Sequence, residues 1–435
     1  SMYILDEPSI GLHPRDNEKL IGIMKQLRDI GNTLVVVEHD KGIISSADRI
    51  IDMGPYAGSL GGEIIAEGSF REIIKGDGLT AKYLNGKMRI PVPEKRRDSN
   101  KWISIIGARE NNLKDINASF PINCLTVVTG VSGSGKSTLV YDILYPSILR
   151  KLGIFDKKPG EHSSIKGDIN LIEHIEYISQ NPIGRSSRSN PITYIKAYDD
   201  IRNLYSIQKL SKKRGYKPRH FSFNVEGGRC ENCKGDGKVV IEMQFMADVI
   251  LECESCKGKR FNNEILDIKF FDKNINDLLK TTIDDAINFF KDNGEIKIAQ
   301  KLKPLKDVGL GYILLGQSSS TLSGGEAQRI KLASFIGKEM QRSNILFIFD
   351  EPTTGLHFHD VEKLLRSFNL LIEKGHTIIV VEHNTELIKC ADYVIDLGPG
   401  GGNFGGEIVA KGTPEEISKN KNSFTAKYLL ESLKA

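Results

Sequence analysis

The chain repeats itself, and no other feature constrains its fold as strongly. Asp6 to His13 (DEPSIGLH) returns 344 residues later as Asp350 to His357 (DEPTTGLH), with six of eight positions identical. The likeness runs on from GNTLVVVEHD (Gly31 to Asp40) to GHTIIVVEHN (Gly375 to Asn384), and from ADRIIDMGP (Ala47 to Pro55) to ADYVIDLGP (Ala391 to Pro399). After a one-residue slip it ends at TAKYL, Thr80 to Leu84 and Thr425 to Leu429. Each copy reads as strand, loop, amphipathic helix, strand. In the second copy Val361, Leu364, Leu365, Phe368 and Ile372 recur at helical spacing before the β-rich run TIIVV. That alternation predicts a parallel α/β sheet. Between the copies, Pro91 to Lys101 (PVPEKRRDSNK) is polar, charged and Pro-bearing, as a linker is, and a new unit begins near Trp102.

With 435 residues and 39% apolar content the chain can bury more than one core, and length suggests two or three domains. A net charge of +4, from 60 Lys and Arg against 56 Asp and Glu, is too mild to demand an acidic partner, so any nucleic-acid footprint must be local. Six cysteines are too few for a disulfide scaffold, and four of them fall in two close pairs, a pattern of metal binding in a reducing cytosol. Apolar runs such as Ile345 to Phe349 and Thr377 to Val381 are strand-sized, short of the roughly 20 residues that cross a bilayer, so no membrane segment is expected. No charged start with an apolar stretch marks a secretory signal. Ser1-Met2 reads as a cloning scar and residue 3 falls inside an apparent strand, so the chain is expected to be cut from a longer one.

Gly130-Val-Ser-Gly133-Ser-Gly135-Lys136-Ser137, followed by Thr138, comes after the apolar strand LTVVTG and before a helical stretch, satisfying the P-loop pattern and its context. Glycines there let backbone N–H groups converge on phosphate, with Lys136 on the β- and γ-phosphates and Ser137 on Mg2+; a plain Gly-rich turn is the bland alternative. Ile345 to Phe349 followed by Asp350-Glu351 is a buried strand ending in two carboxylates, Asp350 for the metal and Glu351 to orient or deprotonate water. A lone pair of this kind is otherwise ordinary helix N-terminal charge. Leu322-Ser323-Gly324-Gly325-Glu326 places a hydroxyl and two glycines at a helix start, a second anion-binding tip.

Cys230-x2-Cys233 and Cys253-x2-Cys256, 19 residues apart, supply four thiolates in two knuckles, the ligand set of a structural Zn2+ site; two disulfides or free buried thiols are the alternatives. With no fifth ligand or open position evident, this metal shapes the domain rather than catalysing. Upstream, Lys209, Lys212, Lys213, Arg214, Lys217, Arg219 and His220 interleave with Tyr216, Phe221 and Phe223. Basic charge neutralises phosphates and exposed rings stack on bases, whereas a solvated basic loop has the same composition.

The LSGGEAQRIKL stretch resembles the signature motif of ABC ATPases, and in that family's order His383 resembles the switch histidine and Gln180 of YISQNP the Q-loop glutamine. Taken singly, they read as a structural histidine and a surface amide. A zinc module between P-loop and signature narrows the resemblance to the UvrA family, on GARENNLKDI (Gly107 to Ile116), SQNPIGRSSRSNP (Ser179 to Pro191), FSFNVEGGRCENCKGDG (Phe221 to Gly237), LSGGEAQRIKLA and DEPTTGLH. The resemblance implies an α/β fold, an ABC-type ATPase parallel sheet core with an inserted helical signature domain and a zinc-binding module. Its divisions would be 1–90, the C-terminal part of a first nucleotide-binding unit; 91–101, linker; 102–192, the ATP-binding part of a second unit; 193–338, the signature domain with zinc; and 339–435, the remainder of the second unit.

The implied activity is that of a damage-recognising ATPase of bacterial nucleotide excision repair, cytoplasmic, working with double-stranded DNA, with UvrB and as a homodimer, without a membrane. Residue by residue it assigns Gly130, Gly133, Gly135, Lys136, Ser137, Thr138 and Asp350 to ATP or ADP and Mg2+. It gives catalytic roles to Glu351, His383 and Gln180, signature contacts to Ser323 and Gly325, and Zn2+ to the four paired cysteines. Arg185 and Arg188 match basic positions of the family motif without an assigned role. The chain departs from the family where the first copy supplies Asp6, Glu7 and His39 with no P-loop, Q-loop or signature ahead of them. The expectation is therefore that half of the machine, including the main UvrB contact, is missing, and that the chain binds ATP but hydrolyses it feebly unless self-association restores activity. Two rival expectations are a UvrA-like ATPase conferring resistance to DNA-binding drugs, and a transporter ATPase, for which the zinc module has no explanation.

Overall fold

The computed structural model describes residues 1–434 other than 56–57, 59–60, 185–187, 244–247 and 338–343. The chain divides into two compact units, Ser1–Ser179 with Met340–Ala435, and Gln180–Glu339. The first unit is built on a six-stranded sheet in the order Glu407–Gly412, Tyr393–Gly398, Leu125–Gly130, Thr377–Val381, Ile345–Asp350, His174–Ile178. Its central strands read as continuous apolar runs because both faces are covered: Val127, Val128, Phe347, Phe349, Ile379 and Val380 are all buried. Helix Phe358–Glu373 buries the face read from the sequence, Val361, Leu364, Leu365, Phe368 and Ile372. The sheet is parallel except at one edge, where Glu407–Gly412 returns antiparallel onto Tyr393–Gly398. The Gly-rich turn between them is too short for the crossover that a parallel return needs. A three-stranded antiparallel sheet, Ile116–Pro121, Trp102–Ala108 and Ser164–Gly167, completes this part of the unit.

The first copy of the repeat forms two separate ladders, Met2–Asp6 parallel to Thr33–Val37, and Ile50–Gly54 antiparallel to Glu63–Gly68. In the second copy the strand Leu125–Gly130 lies between the equivalents of Thr33–Val37 and Ile50–Gly54 and bonds to both. Among the described residues the first copy has no such strand, so its ladders stay apart. Apolar side chains that would be interior in a full sheet are open instead, with Ile4 71% and Met53 64% exposed. The charged stretch 91–101 is tied down along the second copy: Arg97 N donates to Asp392 Oδ1 (2.9 Å), and Arg96 donates to Ala391 O (2.9 Å) and Glu415 Oε1 (2.6 Å).

The second unit is mainly helical, with helices Ala197–Ser206, Ile283–Asp292, Ile296–Asp307 and Gly324–Ile336 and a cysteine module carrying the antiparallel hairpin Lys238–Ile241 and Val249–Glu252. Phe221 and Phe223, which the sequence offered as rings for base stacking beside the alternative of a solvated loop, are core residues of this unit, fully buried against Tyr205 and Tyr198. Burial of so much ring area outweighs any gain from exposing it, and the charged neighbours remain outside.

Candidate nucleotide and metal sites

The P-loop leaves the buried strand Leu125–Gly130 through backbone conformations that side chains oppose. Gly130 sits at φ 129° and Gly135 at φ 104°. A Cβ would lie 1.9 Å from Leu397 O at the first and 2.7 Å from Leu113 Cδ2 at the second. Glycine at both lets the chain turn tightly into the helix that follows, which opens with a π-helical stretch, Thr138–Leu144, before continuing as α-helix Tyr145–Lys151. The buried Lys136 ammonium donates to the loop's own Gly130 O (3.1 Å) and Val131 O (3.0 Å). Burial lowers its pKa to about 8, offset in part by Glu351 and Asp396. Ser137 is exposed beside it, Thr138 Oγ1 accepts from Asn111 Nδ2 (3.1 Å), and the buried Ser134 hydroxyl finds no partner among the described residues. A cation satisfied only by loop carbonyls, an orphaned hydroxyl and glycine positions with no room for a Cβ are features a phosphate chain requires, so these residues fit a nucleotide.

Asp350 ends strand Ile345–Asp350 and accepts from Tyr177 OH at Oδ2 (3.5 Å), while Tyr141 OH donates to Phe349 O (3.2 Å); burial raises the carboxyl's pKa. The sequence reading missed both tyrosines, which no motif marks. Glu351 adopts the left-handed conformation, φ 43°, and Glu7 of the first copy does the same at φ 44°. Such strain in a non-glycine residue persists where the surroundings impose it, commonly at functional sites. Burial, with Glu382 and Asp350 nearby, raises the Glu351 pKa to about 7. His383 is buried, which holds it neutral with a pKa well below the ordinary value; its Nε2 lies 3.7 Å from Glu351 Oε1, and its Nδ1 has no hydrogen-bond partner among the described residues.

The loop carrying His383 is shaped by Glu382, whose carboxylate accepts from the N–H groups of His383 (2.6 Å), Asn384 (3.0 Å) and Thr353 (3.0 Å). Glu38 repeats the pattern with His39, Asp40 and Ser9. The two copies face each other across a cavity of ≈ 230 Å³ lined by Glu7, Gly11 and His39 from one and Glu351, Gly355 and His383 from the other. Glu351 lies against Gly11, and Glu7 against Gly355.

The second unit holds the remaining candidates. Ser323 caps helix Gly324–Ile336 in a reciprocal box: Glu326 N donates to Ser323 Oγ (3.2 Å) and Ser323 N to Glu326 Oε2 (2.8 Å). Gly325 is buried in its first turn, and Gln180 packs beside Gly324. Arg188 pairs with Asp236 (3.3 Å); Arg185 lies outside the described residues.

Cys230, Cys233, Cys253 and Cys256 are buried free thiols whose sulfurs all lie within 4.8 Å of one another. Cys230 and Cys253 are 4.0 Å apart, Cys233 and Cys256 3.6 Å. A tetrahedral Zn2+ with sulfurs at about 2.3 Å spaces them at about 3.8 Å. The donor set therefore fits zinc, and Gly237 N donating to Cys233 Sγ (3.2 Å) is the support a thiolate ligand wants.

No family model matches the chain. It is 55% identical over 434 residues to the UvrABC system protein A of Clostridium acetobutylicum, covering 99% of this chain and 46% of that protein, and 53% identical over 435 residues to that of Aquifex aeolicus, covering 100% and 46%. The chain thus spans about half the length of the curated relatives it matches. Among solved structures it resembles UvrA2 from Deinococcus radiodurans, with TM-score 0.92, 43% identity, 99% of this chain and 52% of that one. A model of ribosome-bound archaeal Pelota and ABCE1 shares the fold at TM-score 0.53 and 16% identity, over 96% of this chain and 54% of the other. No helix among the described residues is long and apolar enough to cross a membrane.

Proposed function

This chain belongs to the UvrA family, of whose curated members it spans about half, and on that premise we propose that it is a DNA-damage-recognising ABC-type ATPase subunit of bacterial nucleotide excision repair, using ATP to regulate lesion binding. The observation that carries the reading is the gathering, in one unit, of Lys136 with its converging loop, Asp350, the strained Glu351 and the neutral His383. Gly130, Gly133, Gly135 and Lys136 take the phosphates, Ser137 and Asp350 hold Mg2+ with Thr138 behind them, and Glu351 positions and deprotonates the attacking water. Mg2+, when bound, neutralises charge developing on the β- and γ-phosphates. Neutral His383 takes the switch-histidine role at the γ-phosphate, Gln180 has the role of the family's Q-loop glutamine, and Ser323 with Gly325 supplies signature contacts to the nucleotide of another ATPase subunit.

The divisions 1–90, 91–101, 102–192, 193–338 and 339–435 are proposed as functional segments, with Zn2+ bracing the fourth. The partners are double-stranded DNA, a second copy of this chain, and UvrB; the compartment is the cytoplasm. Because each site draws its signature from another unit, the chain alone should hydrolyse ATP weakly. The test is equilibrium binding of a fluorescent ATP analogue and of lesion-bearing and intact duplex at two salt concentrations. Nucleotide binding that disappears in Lys136→Ala, with salt-sensitive preference for the lesion, supports the reading; nucleotide binding indifferent to Lys136, or DNA binding blind to the lesion, overturns it.

A further inference from the structure

The last residue of each DEPxxGLH copy and the first residue of each TAKYL copy take no part in the site described above, yet they meet across the repeat. His13, from the first copy, is fully buried and directs Nε2 to Thr425 Oγ1 of the second copy at 3.1 Å. His357, from the second copy, directs Nε2 to Thr80 Oγ1 of the first at 3.4 Å. The rings obey the same exchange: His13 meets Tyr428 edge-on at 5.9 Å, and His357 meets Tyr83 at 5.8 Å, each tyrosine three residues beyond its threonine. Two sequence-distant contacts reproduced in mirror are a built feature of the fold.

The protons in this exchange have a defined direction. Each histidine caps a helix, Nδ1 of His13 accepting from Arg15 N (3.2 Å) and Nδ1 of His357 from His359 N (3.4 Å). With Nδ1 an acceptor, a neutral ring carries its proton on Nε2 and donates it to the threonine. Burial keeps His13 neutral, its pKa lowered to about 4. Thr425 in turn donates to Asp396 Oδ1 (3.0 Å), as Thr80 does to Asp52 Oδ1 (2.8 Å). Asp396 lies on the strand that pairs with the P-loop strand, opposite Thr129.

The His13 ring also stands edge-on to that of His383, centroids 6.0 Å apart, and Arg15 sits 3.9 Å over the Phe424 ring, pinning the same junction. We propose that His13 is a positioning residue contributed by the first repeat, which through Thr425 and its edge contact with His383 sets the switch histidine of the second repeat's nucleotide site. It reports the placement of the first repeat's DEPSIGLH loop to the γ-phosphate position of the second. This rests on the nucleotide reading of Lys136 and His383. A rigid bond network with one proton arrangement transmits a displacement, whereas a loose packing contact absorbs it.

The test compares affinities of the 435-residue chain for a non-hydrolysable ATP analogue and for ADP, which differ at the γ-phosphate. The variants are Lys136→Ala, His13→Ala, His13→Gln, Thr425→Val and the double His13→Ala, Thr425→Val. In His13→Ala the preference for the ATP analogue over ADP should fall by about 5-fold or more, with ADP affinity unchanged. Thr425→Val should give a similar loss, the double variant no more than either single one, and His13→Gln, whose amide also donates, should recover most of the preference with an unchanged melting temperature. An unchanged preference in His13→Ala, a parallel loss of both nucleotides, or single effects that multiply in the double variant would each overturn the latch while leaving the nucleotide site intact. Lys136→Ala separates the two ideas: if it binds both nucleotides normally, the site reading falls and the latch falls with it.

Discussion

His383 Nε2 lies 3.7 Å from Glu351 Oε1, and His39 Nε2 lies 3.6 Å from Glu7 Oε1 in the first copy, so the two repeats hold the same carboxylate–imidazole pair in the same geometry. Only the second pair is attached to a P-loop, and its surroundings decide its protonation. Burial, then the neighbouring Glu382 and Asp350, lift Glu351 to about 7 against the pull of Lys136, while His383 stays neutral.

That shift makes a stability prediction with a definite sign. A carboxyl whose folded pKa is raised from 4.5 to about 7 leaves the native chain holding more protons than the unfolded chain between those values, so its contribution falls as pH rises through the window. Glu351→Gln removes the buried charge. It should therefore match wild type in stability near pH 4.5 and exceed it at pH 8 by about 3 kcal/mol, an order of magnitude set by the shift. Chemical denaturation of both proteins across that range measures the difference; equal stability at pH 8 would show that the carboxylate is well solvated.

The same residue sets the pH dependence of turnover. If Glu351 accepts the proton of the attacking water, kcat/KM should rise about tenfold per pH unit below 7 and flatten above it, and Glu351→Gln should lose turnover at every pH while still binding nucleotide. Rate profiles from pH 5.5 to 8.5 are the check. A flat wild-type profile would remove Glu351 from the role of base.

Much of this site was legible in the residues themselves, because its parts are local: a Gly-rich turn, a strand ending in Asp350-Glu351, and two C-x2-C knuckles each require only a few neighbours. The sheet was legible for the same reason, since fully buried strands announce themselves as unbroken apolar runs. Non-local consequences were not. The first copy reads like the second, yet its strands remain in two ladders because pairing needs an intervening strand that the pattern of the copy cannot reveal. His13 and Thr425 are 412 residues apart, and the repeat marked each without joining them. Phe221 and Phe223 show the limit of a local pattern, since an aromatic residue beside basic ones has the same spelling on a surface and in a core.

The cysteine module yields a prediction that concerns its own unit. Purified chain should carry one zinc, because four buried sulfurs held this close without disulfides need a cation to offset their ionised forms. Chelation, or Cys253→Ser, should accelerate hydrogen exchange across the described residues of 228–262, where the hydrogen bonds of both knuckles depend on the ligand geometry. Nucleotide affinity at Lys136 should persist, since the P-loop is built from strands of the other unit. A zinc-free chain with slow exchange over that stretch would mean that packing alone holds the module.

The basic stretch ahead of the cysteines separates charge from rings. Phe221 is fully buried and lies tilted against the Tyr205 ring, centroids 5.7 Å apart, so Phe221→Ala should cost about 3–5 kcal/mol of stability in this unit through the cavity it leaves. Lys213, at the exposed end of helix Lys209–Lys213, touches no such core. If the stretch tracks a DNA backbone, Lys213→Ala should leave stability unchanged and weaken binding to lesion-bearing and intact duplex alike. The slope of log affinity against log salt should fall by about 0.9, one released counterion. Titrations at several salt concentrations with both duplexes, beside urea melts of the two variants, measure all of this. A Lys213→Ala variant with unaltered affinity and salt slope would identify the stretch as a solvated rim around an aromatic core, and the DNA contact would then have to be sought elsewhere on the chain.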